Sequence, residues 1–268
     1  MATRKTIAAL LVSCGATLAL AQAGTGFTLT DGGAVFRQSD SPTSGTGGGV
    51  SSTDFRLSGG ATGTDQLFQN WWWYRVAGES RQTAFYNATG TQIPAANRAV
   101  TSWVFPQFTA DLEYHLQATS PTNASMVEVL TVRNTTAAPL TLNLFNYTDF
   151  DLNGSFFGDS ATLISPDLMR VTGAYPSPTV SADFQGYGAN VGYKVGPFTA
   201  SRLGLADPSV TNANNTGLPL TNDDFSGFWE WQLVLTPGAS GTLVERLGDV
   251  PEPTTLLLFL VLLRPPRR

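Results

Sequence analysis

Beyond about residue 66, apolar and polar positions alternate with period 2, the spacing of strands that bury one face. Residues 140–152 are the clearest case. Leu140, Leu142, Leu144, Phe150 and Leu152 fall on one face, interrupted by Asn146 and Thr148, while Thr141, Asn143, Phe145, Tyr147, Asp149 and Asp151 fall on the other. Residues 126–132 form another strand, and the stretch 133–139 supplies a turn, so the two strands are predicted to pair as an antiparallel hairpin. Residues 111–117 alternate as well, with Leu112, Tyr114 and Leu116 inward. Strands at 228–235 and 241–247 flank Thr236-Pro237-Gly238-Ala239-Ser240, predicting a further hairpin. The segments at 68–76 and 225–234, both Trp-rich, echo one another without forming a repeat. No convincing amphipathic helix appears. The predicted fold is an all-β antiparallel sandwich of jelly-roll or immunoglobulin-like type over residues 66–249. Residues 24–65, rich in Gly, Ser and Thr, read as a surface loop or an irregular lead-in to it.

Composition supports short strands and turns: only 13% of the 268 residues are charged, and 42% are hydrophobic, too many for a disordered chain. Without the two termini, the body holds 10 basic and 19 acidic residues, with Lys194 its only lysine. That balance leaves no basic stripe for phosphates and argues against nucleic-acid binding. The single cysteine, Cys14, lies near the N-terminus, so the body has no disulfide and no Cys-ligated zinc.

Residues 1–23 read as a secretory signal peptide: Arg4 and Lys5, then a mostly apolar stretch, then Ala21-Gln22-Ala23, with small residues where signal peptidase cuts. A competing cut exists at Leu11-Val12-Ser13-Cys14, which resembles a lipobox. At the other end, Val250-Pro251-Glu252-Pro253 precedes an apolar run from Leu256 to Leu263, then Arg264, Arg267 and Arg268. This order over residues 250–268 resembles the PEP-CTERM sorting signal of exosortase substrates. The resemblance implies cleavage by an exosortase-type enzyme, transient inner-membrane association through the tail, and delivery to the bacterial surface or exterior. The tail departs from the family in length. Residues 254–263 reach about 15 Å as a helix, against a hydrocarbon core of about 30 Å. The asparagine turn at 133–139 and the long strand after it also loosely resemble extracellular immunoglobulin-like modules.

Three features could carry chemistry. Asp149-Phe150-Asp151-Leu152-Asn153-Gly154 has the alternating oxygen ligands and glycine of the first half of a calcium loop, and Asp159 stands one place short of the closing ligand, so Asp149, Asp151, Asn153 and Asp159 are candidate Ca2+ ligands. The simpler reading is a strand ending in an Asn-Gly turn with solvated carboxylates. Trp71, Trp72, Trp73 and Tyr74 place two aromatics on each face of a strand; one pair fills the core and the other could form a platform for sugar rings or lie beneath a loop, core packing being the simpler reading. Asp149 and Asp151 are also spaced as glycosidase carboxylates could be, though no supporting motif accompanies them. The lone histidine, His115, shares a face with Glu113, and no hydrolytic triad or zinc set surrounds it. The expectation is an exported, non-catalytic surface or matrix protein, with a carbohydrate-binding module or a secreted glycan hydrolase as alternatives.

Overall fold

The computed structural model describes residues 25–46, 53–56, 64–120, 123–174 and 179–248. The predicted leader with Cys14, Ala21 and Ala23, and the predicted sorting tail from Val250 to Arg268, lie outside them. The described chain is all-β, as the alternation predicts. A five-stranded sheet has the order β14 (Gly192–Gly196), β16 (Ser226–Leu235), β10 (Leu140–Phe150), β4 (Leu67–Val76), β5 (Thr83–Ala84). It faces a nine-stranded sheet of order β15 (Leu220–Asp223), β11 (Asp159–Ser165), β12 (Leu168–Gly173), β13 (Val180–Tyr187), β17 (Ser240–Gly248), β9 (Asn123–Asn134), β8 (Phe108–Ser120), β7 (Arg98–Val104), β6 (Gly90–Ala95). The ladders between these strands are antiparallel.

Both predicted hairpins are arches instead. β9 pairs with β8 and β17, whereas β10 pairs with β4 and β16, so the chain crosses from one sheet to the other at 135–139. β16 and β17 are likewise in opposite sheets. Connectors of this length can close a hairpin or reach the facing sheet about 10 Å away. The side chain of Asn134 bridges the two connections here. Its Nδ2 donates to the carbonyls of Ala138 (2.8 Å) and Leu235 (3.0 Å), and the Gly238 amide donates to its carbonyl at 3.1 Å. The two arches are thereby fastened side by side. The two Trp-rich segments flank β10 from either side.

The opening segment is not merely a loop. It forms a third antiparallel sheet, β1 (Phe27–Asp31), β2 (Ala34–Gln38) and β3 (Thr53–Arg56), which delivers Phe27, Leu29, Phe36 and Phe55 into the core. Phe27 and Phe36 pack on the ring of Tyr114, with centroids 4.8 and 6.0 Å away. Short runs of alternation amid glycine and threonine hide this sheet from pattern reading. One helix was also missed. α1 (Phe198–Ala206) buries Ser201, Arg202 and Leu205, a mostly polar face without the apolar stripe that marks amphipathic helices. Ser201 Oγ donates to the Ser226 carbonyl (3.2 Å), and the Arg202 guanidinium lies 4.9 Å over the Trp73 ring.

The aromatic run 71–74 is core on both faces, which agrees with the simpler reading and rules out these four side chains as an exposed platform for sugar rings. Trp71, Trp72, Trp73 and Tyr74 are 3%, 1%, 0% and 6% exposed. Trp72 Nε1 donates to Glu128 Oε2 of the facing sheet at 2.6 Å, and Tyr74 stacks among Phe85, Phe105 and Phe108. Residues 71–74 of β4 lie between the nine-stranded sheet and a cover formed by Arg202 of α1 and the segment of Thr211 and Asn212, so neither face of that run reaches water.

The inter-sheet core also holds polar groups. Glu128 and Glu245 sit directly opposite one another on β9 and β17, both buried. Asn146 Nδ2 donates to Asn70 Oδ1 (3.0 Å), Thr148 Oγ1 to Asn146 Oδ1 (3.2 Å), and Thr53 Oγ1 to Gln38 Oε1 (3.2 Å). At the far side of β13, Asp183 accepts from Arg170 Nε (2.8 Å) and lies 3.4 Å from Nη2 of the fully buried Arg246.

Candidate metal centre

β10 ends in a register shift between Asp149 and Phe150, where the ladder with β4 slips. The chain then turns through a short 3-10 segment, Leu152–Gly154, whose Asn153 takes left-handed angles (φ 61°, ψ 18°). The Asn153 amide donates to Gln66 Oε1 at 2.8 Å and the Gly154 amide to the Asp151 carbonyl at 2.8 Å. This turn aims Asp151 back toward Asp149. From the far side comes Asp224, in the bend between β15 and β16, whose carboxylate accepts a hydrogen bond from the Phe198 amide at the start of α1. Ligand oxygens of Asp149, Asp151 and Asp224 all lie within 4.8 Å of one another.

Two more carboxylates border the group. Asp159 begins β11 and accepts from the Phe225 amide, and Asp65, ahead of β4, accepts from the Phe55 amide at 2.9 Å. Asp149 is 2% exposed and Asp159 1% exposed. Asp149 Oδ2 accepts from the Tyr147 hydroxyl at 2.9 Å, but Asp149 Oδ1 and Asp159 Oδ2 are buried with no hydrogen-bond partner. Asp151 and Asp224 are half-buried, so the group is closed below and open to solvent above.

Crowding and burial push every member toward the protonated form. Asp149 is raised to about 8, first by burial, then by the charge of Asp224, and against the donation from Tyr147. Asp159 is raised to about 7 by burial and by Asp151 and Asp224; Asp151 reaches about 6 by burial, Asp224 and Asp65. Burial is the leading cause for Asp224 and Asp65 too. Carboxylates in this condition either hold protons or hold a cation that replaces them. An all-oxygen donor set suits a hard divalent ion.

Two of the four predicted ligands, Asp149 and Asp151, thus come together directly, and Asp159 lies at the margin. Asn153 contributes a turn, not a place in the three-carboxylate group. Asp224 was missed, being 73 positions from Asp151 with only its neighbour Asp223 as a signal. His115 is engaged elsewhere: its Nε2 lies 3.3 Å from Glu113 Oε2, and Glu113 also pairs with Arg98. Burial and then the Arg98 charge lower the His115 pKa.

No protein-family model matches this sequence, and no curated protein matches it. Solved structures similar to it include a putative kojibiose phosphorylase from the human microbiome, at 9% identity and a TM-score of 0.47, covering 88% of this chain and 32% of that one. A polysaccharide lyase is similar at 12% identity and a TM-score of 0.45, covering 82% of this chain and 33% of that one. The chain spans about a third of the length of each. Among the described residues, no helix is long and apolar enough to cross a membrane.

Proposed function

We propose that this chain is an exported, non-catalytic surface or matrix protein whose β-sandwich is clasped by a calcium ion on Asp149, Asp151 and Asp224. The observation that carries the calcium reading is the buried, unpaired Oδ1 of Asp149 beside two half-exposed carboxylates. Calcium oxygens stand about 2.4 Å from the ion, so two ligands across it are separated by up to about 4.8 Å. The observed spacing of 4.8 Å or less fits that span. The ion would bind the end of β10 and the turn after it to the bend before β16, 73 positions further along the chain.

The test is thermal unfolding with calcium and with chelator. At about 100 times its dissociation constant, calcium stabilises by about 2.7 kcal/mol, or roughly 5–10 °C for a domain of this size. Asp149→Asn and Asp224→Asn should each abolish that increment. Identical melting curves with and without calcium would overturn the reading. Export and two-ended processing are tested by intact mass of the protein recovered from its host: the expected species begins near Gly24 and ends near Pro253.

A second reading, a glycan hydrolase, is favoured by the grouping of the Asp149, Asp151 and Asp224 carboxylates within 4.8 Å, where burial and neighbouring charge push Asp149 toward the protonated, proton-donating form. Release of reducing sugar that Asp149→Asn abolishes would establish it.

A further inference from the structure

We infer that the loop 152–158 over the acidic cluster is a calcium-dependent binding loop for a neutral polysaccharide. This rests on the calcium reading above. The loop's two ends are Asp151 and Asp159, both of the acidic group, so whatever fixes those carboxylates fixes the loop. Its tip carries Phe156 and Phe157, 71% and 52% exposed in consecutive positions. Ser155 Oγ accepts from the Phe157 amide (3.2 Å) and donates to its carbonyl (2.9 Å), which holds the tip in shape. A second aromatic group borders the same carboxylates. Phe198, whose amide serves Asp224, packs at 6.3 Å against Phe68, itself 46% exposed. Exposed aromatics gathered around one site mark a contact surface, since burying each ring would otherwise contribute about 1.5–3 kcal/mol.

The cluster itself supplies the other half of the recognition. Asp149 and Asp159 each keep a buried oxygen without a partner, which points to an ion held from below. Calcium takes about six to eight oxygens. Three carboxylates leave positions open on the half-exposed side of Asp151 and Asp224, where vicinal hydroxyls can enter. The apolar face of a sugar ring can then lie on Phe156 or Phe157.

Charge selects among the ligands that could use both features. Asp65 is paired with Arg56 at 3.4 Å, but Asp149, Asp151, Asp159 and Asp224 around a bound divalent ion still exceed its charge, so the loaded site repels phosphates, carboxylates and anionic lipid. A neutral polyol meets no such repulsion. The carbohydrate platform thus lies on the loop after β10 and not on the buried run from Trp71 to Tyr74.

The experiment is affinity electrophoresis of the full chain through neutral polysaccharides (a dextran, a mannan, a galactan and a β-glucan), with calcium or chelator, alongside flotation with phosphatidylcholine and phosphatidylserine vesicles. Calorimetry with calcium alone runs in parallel. Retardation by at least one neutral polysaccharide is expected in calcium only. It should weaken at least about tenfold in Phe156→Ala/Phe157→Ala, a variant whose calcium binding and melting temperature stay as in the native chain. Calcium binding without retardation by any of the four would overturn this inference and leave the calcium reading standing. Absence of calcium binding would overturn both. Retardation that survives chelator or the double substitution, or calcium-dependent binding to vesicles, would also overturn it.

Discussion

Replacing Glu128 with glutamine takes a titratable proton out of the middle of the sandwich while keeping the shape of the side chain. Glu128 is 1% exposed, faces Glu245 across the β9–β17 ladder, and is pushed from an ordinary 4.5 to about 8, mainly by burial and against the indole of Trp72. Glu245 is raised as well, by burial first and by Glu128 second, against a side-chain interaction with Asn70. A raised carboxylate means that the folded state holds its proton more tightly than the unfolded chain does. Its contribution is complete below pH 4.5 and is lost as pH rises through about 8. At 1.36 kcal/mol per pH unit, that window makes the folded state about 5 kcal/mol less favourable. A domain's whole stability is about 5–15 kcal/mol, so the effect is large. Melting curves followed by near-ultraviolet circular dichroism of the buried tryptophans should fall by roughly 10–15 °C from pH 5 to pH 9. Glu128→Gln should remove most of its share of that slope, and Glu128→Gln/Glu245→Gln more still. Run in saturating calcium, the comparison excludes the Asp149 group. Superimposable pH profiles for wild type and Glu128→Gln would refute the reasoning, as would a native protein more stable at pH 9 than at pH 5.

Other substitutions test the packing. Asp183→Ala strips the carboxylate from the fully buried Arg246 and should cost about 3–5 kcal/mol in denaturant unfolding. A cost under 1 kcal/mol would mean that Arg246 finds another partner. Gly217→Ala should destabilise by about 2 kcal/mol or more, because its φ is +94° and a Cβ there would sit 1.8 Å from the Val195 carbonyl oxygen. Trp73→Ala should cost about 3–5 kcal/mol as a core truncation, measured by chemical denaturation. If instead it left stability intact and removed polysaccharide binding, the burial of the 71–74 run would be disproved.

Much of this protein is legible in its sequence. Period 2 in residues 111–117, 126–132 and 140–150 fixes strands, because a pleated backbone sends successive side chains to opposite faces whatever the partner. Asp149 and Asp151 are legible as neighbouring members of the acidic group because their spacing is local, set by the end of one strand and the turn after it. What the chain does not disclose is pairing. β10 is buried on both faces, so its alternation cannot say whether β9 lies beside it or across from it, and the Asn134 hydrogen bonds that bridge the two connections reach Leu235, 101 positions away. The same burial on both faces makes Trp71 to Tyr74 core, a result that depends on α1, whose polar packing face gives no periodic signal. Asp224 joins the acidic group only because β16 lies beside β10 in the sheet. Local backbone geometry was thus determined by the sequence alone, while the sheet partners, the covered faces and the third carboxylate were decided by contacts between residues far apart in the chain.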